Sequence, residues 1–230
     1  MKAGNISYNG TGDIPAIVPV FPLSGALLLP GGQMPLNIFE PRYLAMIDDA
    51  LCSDRLIAMV QPKHACQKSG GEPHNQSDDN PELCELGCLG RITAYQESGD
   101  GRYMINLSGI CRYRIIREVA GSSGYRKCEI AAFETELSHC DDGADVDRES
   151  LLKTFRKYLS ANDMEADWDS IRQASTETLV TALCMMSPYG PAEKQALLEA
   201  EDLRTRADTL IAITEIALAR ESNDSGSGLQ

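Results

Sequence analysis

The hydrophobic period of this chain switches once, after an acidic stretch ending at Asp147, and that switch constrains the fold more than any single motif. Between Ile14 and Glu136, apolar residues fall at alternate positions or in short runs bounded by glycine and proline. Tyr103, Ile105 and Leu107 point one way while Met104, Asn106 and Ser108 point the other, the two-residue repeat of a strand. Cys111, Tyr113 and Ile115 then alternate with Arg112 and Arg114. Beyond the switch, Leu151, Leu152, Phe155, Tyr158 and Leu159 stand at the spacing of an amphipathic helix. The fold class this predicts is α+β: a twisted, partly closed antiparallel β-subdomain followed by an all-helical subdomain. The divisions are a loose polar tail at 1–13, the β-subdomain over 14–137, an acidic linker at 138–147, the helical subdomain over 148–220 and a disordered tail at 221–230.

Turn chemistry places the elements within this frame. Ile17–Leu23 reads as the first strand, and Pro19 and Pro22, lacking donors, put it at an edge, a bulge or a strand end. Pro30-Gly31-Gly32 stops the Leu27-Leu28-Leu29 run, and Pro35–Phe39 resumes extended structure. A helix follows over 41–51, with Pro41 at its first position, where a missing N–H costs nothing. Arg55–Gln61 is a buried strand, and Lys63–Glu82, which lacks periodicity, is a long exposed loop. Gly87–Glu97 turns through Ser98-Gly99-Asp100-Gly101 into the next strand, in which Gly109 marks a bulge or bend. Lys127–Glu136 is the last strand. One helix is expected along Trp168, Ile171, Leu179, Leu183 and Met186, a second starting at Gly190-Pro191, and a long last one over 202–220.

Of the 230 residues, 43% are hydrophobic, enough for a core, and the net charge is −13, which opposes phosphate backbones. Arg102, Arg112, Arg114, Arg117, Arg126 and Lys127 nevertheless make one segment basic, so RNA is the alternative ligand. Its stacking groups are few: Tyr103, Tyr113 and Tyr125, two of them facing the core side. The chain shows no apolar leader and nothing near the roughly 18 apolar residues of a membrane span, so the expected location is cytoplasmic. Its eight cysteines are then expected as reduced thiols. Cys52, Cys111, Cys128 and Cys184 sit in apolar patterns as small core residues, and Cys140 in the acidic linker is the exposed thiol. His64, Cys66, Cys84 and Cys88 are zinc-type ligands, but their spacing departs from paired C-x-x-C, and they read as four independent residues. His64, His74 and His139 lie in loop or linker segments with nothing to orient a base. No G-x-x-x-x-G-K-(S/T) occurs. No catalytic residue, metal or cofactor is expected.

Four motifs carry a family resemblance. They are Phe21-Pro22-Leu23 with Phe39-Glu40-Pro41-Arg42-Tyr43; Glu85-Leu86-Gly87-Cys88-Leu89-Gly90-Arg91-Ile92; Leu107-Ser108-Gly109-Ile110-Cys111-Arg112-Tyr113-Arg114-Ile115; and Ser187-Pro188 to Glu199, which contains Glu193-Lys194-Gln195-Ala196-Leu197-Leu198-Glu199. In order and spacing they resemble the Lon N-terminal domain, the substrate-recognition module of the ATP-dependent protease La. The resemblance implies a PUA-like β pseudo-barrel ahead of a helical bundle. It also implies affinity for exposed or unfolded protein segments without chemistry of its own, in a free-standing chain that lacks the ATPase and peptidase. The partners it implies are polypeptide clients or a protein partner, Lon protease or a chaperone among them. The candidate peptide-contacting residues are Phe21, Leu23, Phe39, Glu40, Arg42 and Tyr43. Capture is expected in an apolar groove or by strand addition at an edge, with the Pro-bearing first strand and the Lys63–Glu82 loop as the places to look. An architectural reading of the same residues puts Glu40 at a helix N-terminus, Arg42 on a nearby carboxylate and Tyr43 against Phe39.

Overall fold

The computed structural model describes residues 1–67, 80–121, 123–138 and 145–226. Its fold is α+β. In chain order, β1 (Lys2–Ala3) and β2 (Ile6–Ser7) form a small hairpin; β3 (Ile17–Pro22), β4 (Gln33–Ile38), α1 (Pro41–Leu51), β5 (Leu56–Pro62) and α2 (Lys63–Gln67) follow. Then come β6 (Leu83–Glu97), β7 (Tyr103–Val119), β8 (Lys127–Ala132) and α3 (Thr135–Ser138). The helices α4 (Arg148–Ala161), α5 (Trp168–Gln173), α6 (Thr176–Met186), α7 (Pro191–Glu199) and α8 (Leu203–Gly226) complete it.

The six-stranded sheet runs β4-β7-β6-β5-β3-β8, and β8 also pairs with β7, so all but β4 close into a ring. The length of β7 makes this possible: its first half pairs with β4 and its second half with β8. Between Gly109 and Cys111 the β6–β7 register slips, leaving Ile110 as the extra residue of a bulge, which increases local twist and helps the sheet to close. Val18, Val20, Leu56, Ala58, Val60, Leu89, Cys111, Tyr113, Cys128 and Ile130, drawn from the five ring strands, form one core. Ile57, Met59 and Cys88 face the opposite way, into a second core shared with α1 and the helices from α4 onward. β5 is therefore buried on both faces, as a strand covered on two sides must be.

Several expectations change. The sheet is not wholly antiparallel, because β3 and β5 pair in parallel. The intervening β4–α1 connection is long enough to carry the chain back to the starting edge, which a tight turn cannot do. Residues 1–13 are no loose tail: Ala3 and Tyr8 are buried in the barrel core, and the Met1 amino group donates to the Tyr8 and Leu137 carbonyls. The expected Lys63–Glu82 loop starts with α2, and Lys63 closes onto Glu82 through a backbone bond of 2.7 Å and an ion pair of 2.8 Å. The last strand stops at Ala132 and α3 replaces its end. The expected helix from Trp168 to Met186 is two, broken where Ser175 turns extended and its side chain caps α6 through Thr178 N–H. Helix α8 runs into the expected disordered tail as far as Gly226. Cys52 is exposed rather than core, since it follows the last turn of α1. Residues 68–79 of the loop, with His74, and residues 139–144 of the linker, with His139 and Cys140, lie outside the described residues, as do residues 227–230.

The helices are held on the barrel by polar contacts that the fourth motif supplies. Lys194 Nζ donates to the Gly25 carbonyl at 2.9 Å. Gln61 Nε2 donates to the Pro191 carbonyl at 2.9 Å and to Gln195 Oε1 at 3.3 Å, while its own Oε1 accepts from Gly25 N–H at 3.1 Å. Gln195 in turn reaches the Leu86 carbonyl and Glu199. At the other end of α7, Arg112 crosses from β7 and bonds the carbonyls of Leu198, Ala200 and Glu201. The alternation sets Arg112 on the face opposite Cys111 and Tyr113; it does point away from the barrel core, and the helices cover that face and leave it 4% exposed.

Candidate functional site

A groove of about 780 Å³ opens where three chain segments end together. The first wall is Val20–Leu23, the exit of β3; the second is Leu36–Phe39 with Glu40, Arg42 and Tyr43, the passage from β4 into α1; the third is Glu118–Gly121 and Ser123–Arg126, between β7 and β8. Pro62, Asn80 and Pro81 complete the rim. All six residues singled out from the sequence, Phe21, Leu23, Phe39, Glu40, Arg42 and Tyr43, line it.

The floor is fixed by aromatic packing. Phe21 and Tyr43 are both buried and their rings meet at 4.4 Å between centroids, tilted by 51°. Tyr43 therefore packs on Phe21 rather than on Phe39, because Pro41 starts α1 and turns Tyr43 inward while Phe39 stays outside. Burial pushes the Tyr43 hydroxyl above its ordinary pKa despite the Arg42 charge beside it. Tyr43→Ala is expected to lower stability by ~3 kcal/mol, the usual loss for truncating a core aromatic. An unchanged midpoint in urea denaturation would refute this packing role.

The charges around the groove are internally matched. Arg42 places Nε 3.0 Å and Nη2 2.9 Å from the Glu40 carboxylate and its guanidinium 4.8 Å from the Tyr43 ring centre. Arg126 forks onto Glu118 at 2.9 and 2.6 Å and donates to the Pro81 carbonyl at 2.6 Å. Tyr125 donates to Asp49 at 2.6 Å; burial, reinforced by that bond, pushes its hydroxyl up to about 12. Against these settled contacts, Phe39 is 62% exposed, a large apolar ring left in water at the mouth. The Glu118–Arg126 wall escaped sequence reasoning: Arg126 counted only as one member of a charge run, and a wall so distant along the chain has no local signal.

The other candidate sites do not assemble. Cys84 faces the barrel core and Cys88 the opposite core, as residues an even number of positions apart do only when a bulge or shift intervenes, while His64 is exposed on α2. Cys66 and Cys84 alone approach, at 3.4 Å between sulfurs. Among the described residues, no three potential metal ligands gather. The basic segment is likewise no phosphate platform. Arg102, Arg112, Arg114, Arg117 and Arg126 each pair with a carboxylate, on Asp100, Glu136, Glu85, Glu129 and Glu118. Tyr113 and Tyr125 are buried, so the exposed stacking surface that RNA requires is missing there. The Pro-bearing strand β3 is not a free edge either; its first half pairs with β8 and its second with β5. Among the described residues, β4 is the open edge of the sheet. No helix among the described residues is long and apolar enough to cross a membrane.

A family model described as the ATP-dependent protease La (LON) substrate-binding domain matches residues 17–215. Lon protease 2 of Myxococcus xanthus is 25% identical over 204 residues, covering 87% of this chain and 24% of its own length. The Lon protease of Desulfosudis oleivorans is 33% identical over 114 residues, 49% of this chain and 13% of its own. The chain thus spans about a quarter or less of the curated relatives it matches. Two solved structures share the fold. The Lon N-terminal domain protein from Xanthomonas campestris superposes with a TM-score of 0.56 at 21% identity, over 85% of this chain and 97% of that one. The N-terminal domain of Mycobacterium avium complex Lon protease gives 0.59 at 19% identity, over 86% and 98%.

Proposed function

The chain belongs to the family of ATP-dependent protease La (LON) substrate-binding domains, and from that premise we propose that it is a non-catalytic module whose groove takes an extended, apolar segment of a polypeptide. One observation carries the reading: Phe39 stands 62% exposed over a groove floored by Phe21, Leu23 and Tyr43. An aromatic ring in water is an anchor waiting for apolar contact, and such rings dominate interface energies. The volume suits several side chains rather than a whole folded surface. The rim selects further. Because Glu40 neutralises Arg42 and Glu118 neutralises Arg126, neither sign of charge is offered, and a charged segment would leave its ions desolvated and unpaired. The neighbouring open edge of β4 gives an extended chain backbone partners close to Phe39. The partner classes that follow are unfolded clients, with delivery to a protease or chaperone as the setting.

Fluorescence anisotropy with a labelled, uncharged, aromatic-containing peptide tests this. Phe39→Ala is expected to weaken binding by at least about tenfold, near 1.4 kcal/mol, while the melting temperature holds because the ring is exposed. Equal affinity of wild type and variant, or tighter binding of an acidic peptide of the same length, would exclude this groove as the site.

A further inference from the structure

Cys66, on α2, and Cys84, on β6, hold their sulfur atoms 3.4 Å apart, closer than two thiols need to be for packing alone. The hydrogen bond between them already aligns one sulfur on the other. Cys66 is the half-exposed member, and Cys84 is 7% exposed beneath it. Their backbones are fixed nearby: Lys63 N–H donates to the Glu82 carbonyl, Pro62 pairs with Leu83, and Cys66 Sγ rests 3.8 Å from the Pro191 carbonyl at the start of α7. A disulfide requires the sulfurs to close from 3.4 Å to roughly 2.05 Å. We propose that Cys66 and Cys84 are a reversible dithiol–disulfide pair, oxidised by a low-molecular-weight disulfide, that fastens α2 to β6 beside the groove.

The exchange balances in two steps. The Cys66 thiolate, its proton lost to solvent, attacks one sulfur of the oxidant, forming a mixed disulfide and releasing the first oxidant thiol. Cys84, also deprotonated, attacks Cys66 Sγ, forming the internal bond and releasing the second thiol. Two protein thiols lose two electrons in all, and the oxidant disulfide is reduced to two thiols. Burial holds both thiols protonated at neutral pH, Cys66 up to about 12, with Glu199 adding to the effect and Lys63 opposing it at Cys84. The pair is thus slow to react and resists casual oxidation, while the exposed thiol among the described residues, Cys52, lies at the far end of α1. The bridge would stiffen the stem whose ends, Pro62 and Pro81, form part of the groove rim.

The test incubates the folded wild-type protein with oxidised glutathione, blocks remaining thiols, and maps peptides without reduction. The expected result is a Cys66–Cys84 cross-linked peptide, loss of two thiols beyond those carried as glutathione adducts when counted in denaturant, full recovery on reduction, and a melting temperature raised by several degrees. Cys66→Ser should abolish the cross-link and leave the glutathione adduct count at the wild-type level. Only glutathione adducts, or a cross-link joining either cysteine to a different partner, would overturn the proposal. The mapping uses wild-type protein, so it stands whether or not the variant folds.

Discussion

Replacing Arg112 with alanine is expected to cost ~3–5 kcal/mol of stability, the range for removing one partner of a buried ion pair. Arg112 is 4% exposed and every edge of its guanidinium is used. Its Nε meets Glu136, which also accepts from the Arg112 backbone N–H at 2.7 Å. Nη1 bonds the Leu198 carbonyl at 2.9 Å and the Ala200 carbonyl at 2.5 Å, and Nη2 bonds Glu201 at 2.9 Å. These carbonyls end α7, where the helix carries partial negative charge and no internal donors. Alanine would leave Glu136 desolvated beside them. Arg206 offers partial relief, since it already reaches the Leu197 and Ala200 carbonyls; its pKa is lowered by burial first and by Arg112 second, so losing Arg112 eases its own strain. Arg112→Lys keeps the charge but not the fork, and should lose about half as much. Urea denaturation with an unchanged slope measures the difference. A cost below about 1 kcal/mol for alanine would mean that water replaces the guanidinium and that α7 is not anchored this way.

This arginine shows where sequence reasoning stops. The alternation of Cys111 and Tyr113 against Arg112 is legible, and the structure keeps it. What the period cannot say is whether the outward face meets water or another layer, because that depends on helices encoded about ninety residues later. The helix starts at Glu40-Pro41 and Gly190-Pro191 were legible for the opposite reason: proline acts within one turn, and both helices begin at it. The first hairpin was missed because only Ala3 and Tyr8 of its residues enter the core, too few to show a period.

The site divides in the same way. Phe21, Leu23, Phe39, Glu40, Arg42 and Tyr43 come from one stretch of sequence, so a family motif could gather them in advance. The opposing wall, Glu118–Arg126, joins them only when β8 pairs with β3 and closes the ring. Barrel closure thus makes the groove: without the Val18–Cys128 pairing, the floor would be an open apolar surface with no third side. The same closure disposes of the basic segment, since β8 places Glu129 beside Arg117 and α3, following it, brings Glu136 to Arg112, and a charge run along the sequence becomes a set of pairs in space.

Gly109→Ala is expected to cost ~4 kcal/mol, combining steric overpacking with the loss of two backbone hydrogen bonds. A Cβ at this position would stand 2.0 Å from the Leu29 carbonyl oxygen, where real Cβ atoms do not come within 3.0 Å. The obstacle is backbone, not the end of a flexible side chain, so relief requires moving the Pro30-Gly31-Gly32 turn. That turn is tied to Gly109 twice, by Gly31 N–H to its carbonyl at 3.0 Å and by its own N–H to Gly32 at 2.9 Å. Nor can the preceding residues follow freely, because Leu27, Leu28 and Leu29 are all buried in the core beneath α1 and the helices. Gly31→Ala separates this from an ordinary glycine effect. Gly31 has φ 76 but nothing within 4 Å of its added Cβ, so it should lose only the roughly 1–2 kcal/mol of a left-handed residue. If denaturation finds Gly109→Ala no worse than Gly31→Ala, the turn is not clamped on β7, and the glycine in this motif answers to something other than close approach. If the order holds, the motif that marks the family along β7 is explained by two contacts of opposite kind on one strand: a missing side chain that admits the turn and, three residues on, a long one that holds α7.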